Sequence, residues 1–183
     1  MTDNERLAEL LFPNISWTPQ QYEEQYPARQ LPEGARVTRF SPSPTGYLHI
    51  GGLFAAMTAR LTAKATSGVF FLRIEDTDKK REVEGGVTAI VTGLAAFGIT
   101  PDEGITGLGT ESGVYGPYQQ SKRREIYQCF AKELVRQGLA YPCFCTEAEL
   151  TALREQQEAQ AVNKGYYGEW AACRNLALSL IHI

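Results

Sequence analysis

Hydrophobic positions along this chain fall into two kinds of segment: apolar residues recurring every three or four positions, and short unbroken apolar runs. The first kind predicts an amphipathic helix over residues 3–12, with Leu7, Leu10 and Leu11 on one face. Residues 13–34 follow with Pro13, Pro19, Pro27 and Pro32 among tyrosines and glutamines, and read as a loop wrapping the surface. Val37 to Phe40 reads as the end of a buried strand. A helix is predicted over 49–66 from Leu53, Met57 and Leu61, with Gly68 as its left-handed cap. Residues 69–74 (V-F-F-L-R-I) form an apolar run expected to be a strand buried on both faces. A helix over 83–97 repeats Val87, Ile90, Val91 and Leu94 and stops at Gly98; residues 99–120 then read as a long loop. Ser121 is placed to cap a helix carrying Ile126, Phe130 and Leu134 and ending at Gly138, with Cys129 beside that stripe as a buried thiol. Residues 139–145 read as a strand, and Thr146 with Glu149 as a capping box for a helix to Ala159.

Strand, helix and strand between residues 37 and 74 make a βαβ unit, expected parallel and right-handed. The fold class is therefore α/β, a Rossmann-like parallel sheet with flanking helices. In such sheets ligands lie beyond the carboxyl ends of the strands, which brings residues 39–43 and 75–78 to one crevice.

The chemistry concentrates in the turn between the first strand and its helix, R-F-S-P-S-P-T-G-Y-L-H-I-G-G from Arg39 to Gly52. Pro42 and Pro44 keep the chain out of helix before it, and Gly46 lets the backbone double back. His49, Ile50, Gly51 and Gly52 then open a helix whose free N–H groups and dipole attract a phosphate, with the His49 imidazole as a donor at the mouth. Neither G-x-x-x-x-G-K-[ST] nor G-x-G-x-x-G is present, so this is neither a P-loop nor a dinucleotide fingerprint. Across the crevice, Arg39 can grip a carboxylate bidentately while Glu75 accepts from an ammonium group, a pairing suited to an acidic amino acid. Asp76 and Asp78 are also read as caps of the next helix, and the runs 79–81 and 122–124 as solvated basic faces.

Charge and cysteine content narrow the picture. With 18 basic and 21 acidic residues in 183, nothing in the bulk charge draws the chain to nucleic acid, so any RNA contact rests on local patches. No apolar run approaches 18 residues and no signal pattern opens the chain, which reads as cytoplasmic with no membrane partner. Cys143-x-Cys145 with Cys173 has zinc-ligand spacing. A fourth ligand is missing beside Cys173, where Tyr166, Tyr167 and His182 are poor substitutes, so reduced thiols are preferred to Zn²⁺.

The segment S-P-S-P-T-G-Y-L-H-I-G-G resembles the HIGH signature region of class I aminoacyl-tRNA synthetases, and within them the bacterial glutamyl-tRNA synthetases. R-I-E-D-T-D (73–78) and G-P-Y-x-Q-S (116–121) resemble further elements of the same family. The resemblance implies a nucleotide-binding function for Pro42, Ser43, Pro44, Thr45, Gly46, Tyr47, Leu48, His49, Ile50, Gly51 and Gly52. It implies catalytic roles at His49, Gly51 and Gly52, and glutamate binding by Arg39, Ser41, Ser43 and Glu75. Gly52 stands where the signature's second histidine falls, so any role for that histidine is absent. Implied partners are L-glutamate, ATP with Mg²⁺, and tRNA(Glu), with tRNA(Gln) left open, for a monomeric enzyme. Zinc occurs in some members at the Cys143–Cys173 region. The implied division is an extension over 1–34, the first half of the catalytic nucleotide fold over 35–138, and the start of an inserted acceptor-binding subdomain from 139. The K-M-S-K-S-type lysine loop and the anticodon-binding domain have no counterpart in the chain, which is expected to be an inactive fragment of a glutamate–tRNA ligase. Alternatives are the enzyme that glutamylates queuosine in tRNA(Asp), and a non-catalytic nucleotide- or RNA-binding remnant.

Overall fold

The computed structural model describes residues 1–176; the end of the apolar tail, with His182, lies outside the described residues. The chain runs through helices α1 (Asp3–Leu11) and α2 (Pro19–Gln25), strand β1 (Val37–Phe40), helix α3 (Ile50–Ala65), strand β2 (Val69–Leu72) and helix α4 (Gly86–Ala96). Strands β3 (Glu103–Gly107) and β4 (Thr110–Ser112) follow, then a 3-10 turn (Gln120–Arg123) and helices α5 (Arg124–Arg136) and α6 (Glu147–Ala159). It divides into two compact units: Gln20–Tyr127, and Met1–Pro19 together with the chain from Gln128.

In the Gln20–Tyr127 unit the predicted βαβ is present. β1 and β2 pair in parallel, Val37 opposite Val69 and Phe40 opposite Leu72. β3 adds to β2 in parallel, and β4 returns antiparallel, giving the order β1-β2-β3-β4. The sheet is thus parallel with one antiparallel edge. Phe70, Leu72 and Ile74 point to one face and pack with Phe40, Ala56, Ala63, Ile90, Leu94, Ile99 and Ile105. Burial alternates along β2, so the strand is fully covered on one face only; Phe71 on the other face meets the Tyr118 ring at 6.0 Å.

Several local expectations need correction. Residues 99–120 hold the β3–β4 hairpin rather than a structureless loop. Its strands carry one apolar residue, Ile105, among seven glycines and polar residues, and no residue of β4 is buried. Residues 13–34 contain α2, a polar helix started by Pro19 at its first position and tied by a Gln20–Glu24 side-chain hydrogen bond; it buries nothing, so periodicity is silent. α4 begins at Gly86 behind a left-handed Gly85, not at residue 83. After α3 the left-handed residue is Ser67 (φ 53°). Gly68 serves a different purpose: a Cβ there would sit 1.9 Å from the Arg36 carbonyl oxygen, so the close approach of neighbouring backbone demands glycine. Leu61 is exposed, and α3 instead buries Ala56 and Ala63.

In the other unit α1 is held by a capping box between Thr2 and Glu5 and packs Leu7 and Ala8 on Val135 of α5. Leu10 is exposed. α5 turns Cys129 and Val135 inward, while Phe130 and Leu134 of the expected stripe are largely exposed. The Cys129 thiol donates to the Trp17 carbonyl at 3.0 Å, and burial pushes its titration up. Residues 139–145, expected as a strand, pair with no strand among the described residues. The Thr146–Glu149 capping box and the helix to Ala159 are as expected.

Candidate active site

The loop from Ser41 to His49 leaves β1 at its carboxyl end and feeds α3, and glycines on α4 seat it. Pro44 is fully buried; its carbonyl accepts the Val83 N–H at 2.9 Å, and a Cβ at Gly86 would stand 2.9 Å from the same oxygen. Leu48 packs over Gly93, where a Cβ would meet it at 3.3 Å. His49 is the N-cap of α3 with no side-chain cap bond, so the amides of the helix's first turn have no intrahelical acceptor and face outward. A Cβ at Gly51 would lie 3.0 Å from His49 Cε1: the bare glycine is what lets the imidazole fold back over the helix start. A cavity of about 310 Å³ opens here, lined by Phe40, Pro42, Ser43, Thr45, Gly46, Tyr47, Leu48, His49, Gly52 and Ile90. Ser41 is half-buried and does not line it, and Gly51 lies beside it on the first turn.

Glu75 reaches the same end of the sheet. Its N–H donates to the Pro42 carbonyl at 3.0 Å, continuing the β1–β2 register past the strands. Its carboxylate receives Arg73 Nη2 at 2.8 Å and stands 4.0 Å from Arg39 Nη1. Arg39 and Glu75, singled out from the sequence, are thus brought together. Arg73, which the sequence places only within an apolar strand run, is the closer partner of Glu75, and its Nε is buried with no hydrogen-bond partner.

Asp76 is neither a helix cap nor solvated; it is 1 % exposed. It accepts from Ser121 Oγ at 2.6 Å, Ser121 N–H at 2.9 Å, Gln119 Nε2 at 2.9 Å and Lys79 Nζ at 3.2 Å. Burial alone would raise this carboxyl, but the bonds from Ser121, Gln119 and Lys79 outweigh it and hold it at about 2. Ser121 therefore anchors to Asp76 rather than capping α5. The sequence held a signal for this: Phe70, Leu72 and Ile74 alternate inward, and Asp76 is the next inward position. Asp78 pairs with exposed Arg81 instead.

The G-P-Y-x-Q-S segment lies alongside this strand end. Ile74 N–H donates to the Tyr118 carbonyl at 3.0 Å, and Gln120 N–H donates to the Ile74 carbonyl at 2.9 Å. The Tyr118 hydroxyl donates to Glu103 at 2.6 Å, and burial with that acceptor pushes it up to about 12. Glu103 is itself gripped by both Nη atoms of Arg29, which lies 3.7 Å over the Tyr115 ring. Arg29 sits in the stretch from which the sequence reading drew no chemistry, and its partner is 74 positions away.

In the other unit Cys143, Cys145 and Cys173 bring their sulfurs within 4.8 Å of one another. Cys145 and Cys173 Sγ are 3.7 Å apart, close to the roughly 3.8 Å between thiolates bound tetrahedrally about 2.3 Å from one ion. Tyr166 Oη lies 3.5 Å from Cys145 Sγ and accepts the Cys173 N–H at 2.8 Å. The Tyr166 hydroxyl, then the Phe144 N–H, pull the Cys173 thiol down to about 7, favouring thiolate. The three thiols have the donor type and spacing that suit a zinc ion, and the Tyr166 hydroxyl lies beside them.

Compared with known proteins, residues 36–176 match the family model described as tRNA synthetases class I (E and Q), catalytic domain. A glutamate–tRNA ligase of Clostridium perfringens is 54% identical over 173 residues, covering 94% of this chain and 32% of the relative. One from Acetivibrio thermocellus is 53% identical over 177 residues, 96% of this chain and 32% of the relative. The crystal structure of a glutamate–tRNA synthetase from Elizabethkingia anophelis superposes with a TM-score of 0.61 at 43% identity, over 71% of this chain and 25% of that one. The chain spans about a third of the length of the curated relatives it matches. With the family model matched over residues 36–176 and relatives this similar over nearly all of the chain, the chain belongs to the class I tRNA synthetases (E and Q).

Proposed function

We propose that the chain supplies the amino-acid and phosphate side of a glutamate–tRNA ligase centre, which activates L-glutamate with ATP and transfers it to the 3′ end of tRNA(Glu) in the cytoplasm. The observation that carries this reading is the meeting of Arg39, on β1, and Glu75, just past the end of the adjacent parallel β2, beside the loop that opens α3. A guanidinium and a carboxylate side by side complement an amino acid bearing an extra carboxylate. Arg39 takes the γ-carboxylate, Glu75 takes the α-ammonium, Arg73 holds Glu75 in place, and Ser41 and Ser43 add polar contacts. The α-carboxylate is left facing the loop. It attacks the α-phosphorus of ATP, a P–O bond to pyrophosphate breaks, and glutamyl-adenylate results with no protein nucleophile.

Positioning and charge stabilisation are the whole of the protein's part in such a step. The amides at Gly51 and Gly52 and the His49 imidazole face the phosphate oxygens, where charge builds up. Mg²⁺ enters with the phosphates of ATP, and no residue of this chain is assigned to it.

Turnover is proposed for a polypeptide of the relatives' length. The 183-residue chain itself is expected to show no steady glutamate-dependent ATP–pyrophosphate exchange. Sustained exchange by the purified chain would show that it holds a complete centre.

We further infer that Cys143, Cys145, Cys173 and Tyr166 hold a structural zinc ion. The ion's contribution is a cross-link between residues 143–145 and the 166–173 segment, stabilising the fold rather than taking part in the chemistry.

A further inference from the structure

One buried polar side chain, joined to the thiol cluster through Gly165 and Tyr166, has no part in the activity proposed above. Gln157, near the end of α6, is fully buried, at 0% exposure. A buried carboxamide is costly unless both its oxygen and its nitrogen are satisfied. Here a single residue satisfies both: Gln157 Nε2 donates to the Gly165 carbonyl at 2.7 Å, and the Gly165 N–H donates to Gln157 Oε1 at 2.8 Å. The side chain thereby imitates a neighbouring strand and closes the loop from Gln157 to Gly165. That loop leaves the helix through a left-handed Ala161, with the Val162 N–H bonded back to the Gln157 carbonyl. The residue after the clamped glycine is Tyr166, whose hydroxyl lies 3.5 Å from Cys145 Sγ and accepts the Cys173 N–H.

We propose that Gln157 is the positioning residue of the metal centre: by fixing the Gly165 peptide it aims the Tyr166 oxygen at the three thiolates as their fourth ligand. The inference rests on the zinc reading above. Groups that orient metal ligands without touching the metal commonly govern affinity by tenfold to a hundredfold, and this clamp reaches its ligand through one intervening peptide.

The test is an anaerobic Co²⁺ titration of the purified chain, followed by competition with Zn²⁺. The wild-type chain should give thiolate-to-cobalt charge-transfer bands and the intense visible bands of a tetrahedral ion. Gln157→Ala should weaken Co²⁺ binding by about tenfold to a hundredfold and move the visible bands to those of Tyr166→Phe, in which the fourth oxygen is gone. In the Tyr166→Phe background, Gln157→Ala should add no further loss. Gln157→Glu, which keeps the acceptor for Gly165 N–H but loses the donor, should fall between, and it carries the comparison if the alanine variant loses its helical circular dichroism. Wild-type affinity and spectrum in the Gln157 variants would overturn the proposal. So would a Gln157→Ala loss that persists undiminished without the Tyr166 hydroxyl, since Gln157 would then serve the fold alone. Absence of charge-transfer bands in the wild-type chain would instead remove the metal reading, and this inference with it.

Discussion

Replacing Asp76 by alanine is expected to destabilise the Gln20–Tyr127 unit by about 3 kcal/mol, because it strands a set of buried donors. The Ser121 N–H and hydroxyl and the Gln119 amide all converge on this one carboxylate. Asp76→Asn should cost nearly as much, since one acceptor oxygen becomes an NH₂ facing donors. The effect has a pH signature. The folded carboxyl titrates at about 2, below its ordinary 3.8. Its contribution is therefore complete above about pH 4 and is lost as pH falls through 2, a span worth about 2 kcal/mol. Urea unfolding of wild type and Asp76→Asn between pH 7 and pH 2 checks this. The gap between the two should narrow as pH falls from 4 toward 2; a constant gap would mean that the ionised carboxylate is not what holds the Gln119–Ser121 segment.

Gly104→Ala is expected to cost still more, about 4 kcal/mol or above, and to leave the parallel β2–β3 pairing unformed. Gly104 pairs with Leu72 at φ 119°, and a Cβ there would stand 2.1 Å from the Leu72 carbonyl oxygen, a backbone atom that cannot swing aside. Gly98→Ala is the control. Gly98 is also left-handed (φ 68°), but nothing lies within 4 Å of its Cβ position, so only the conformational cost of about 1 kcal/mol applies. Thermal unfolding of the two variants separates collision from backbone strain. Equal shifts would mean that β3 does not lie against β2 in this register.

What the sequence revealed, and what it withheld, follows from the range of the forces involved. β1, the Pro42–Gly52 loop, α3 and β2 were legible because proline, glycine and apolar spacing act within a few residues. The Thr146–Glu149 capping box and the buried Cys129 were legible for the same reason. Asp76 was misassigned because hydropathy treats a carboxylate as solvated, although strand alternation from Phe70 pointed it inward. β3 escaped because its strand character comes from lying against β2, and Gly104, a poor strand former, is required by that contact. Arg29 could not be seen at all: its role comes from Glu103 and Tyr115, far along the chain. The three thiols were visible as a spacing, but Tyr166 became their neighbour only through the loop that Gln157 closes.

The central claim is that Arg39 and Glu75 form a glutamate site beside the His49 loop. The most direct test is an NMR titration of the labelled chain with L-glutamate, in the presence and absence of ATP and Mg²⁺. Saturable shifts are expected at Arg39, residues 41–52, Arg73 and Glu75 alone, with affinity of about millimolar, lost in Arg39→Ala and much weaker for L-glutamine. Saturable shifts that persist in both Arg39→Ala and Glu75→Ala, or that map away from the carboxyl ends of β1 and β2, would contradict it.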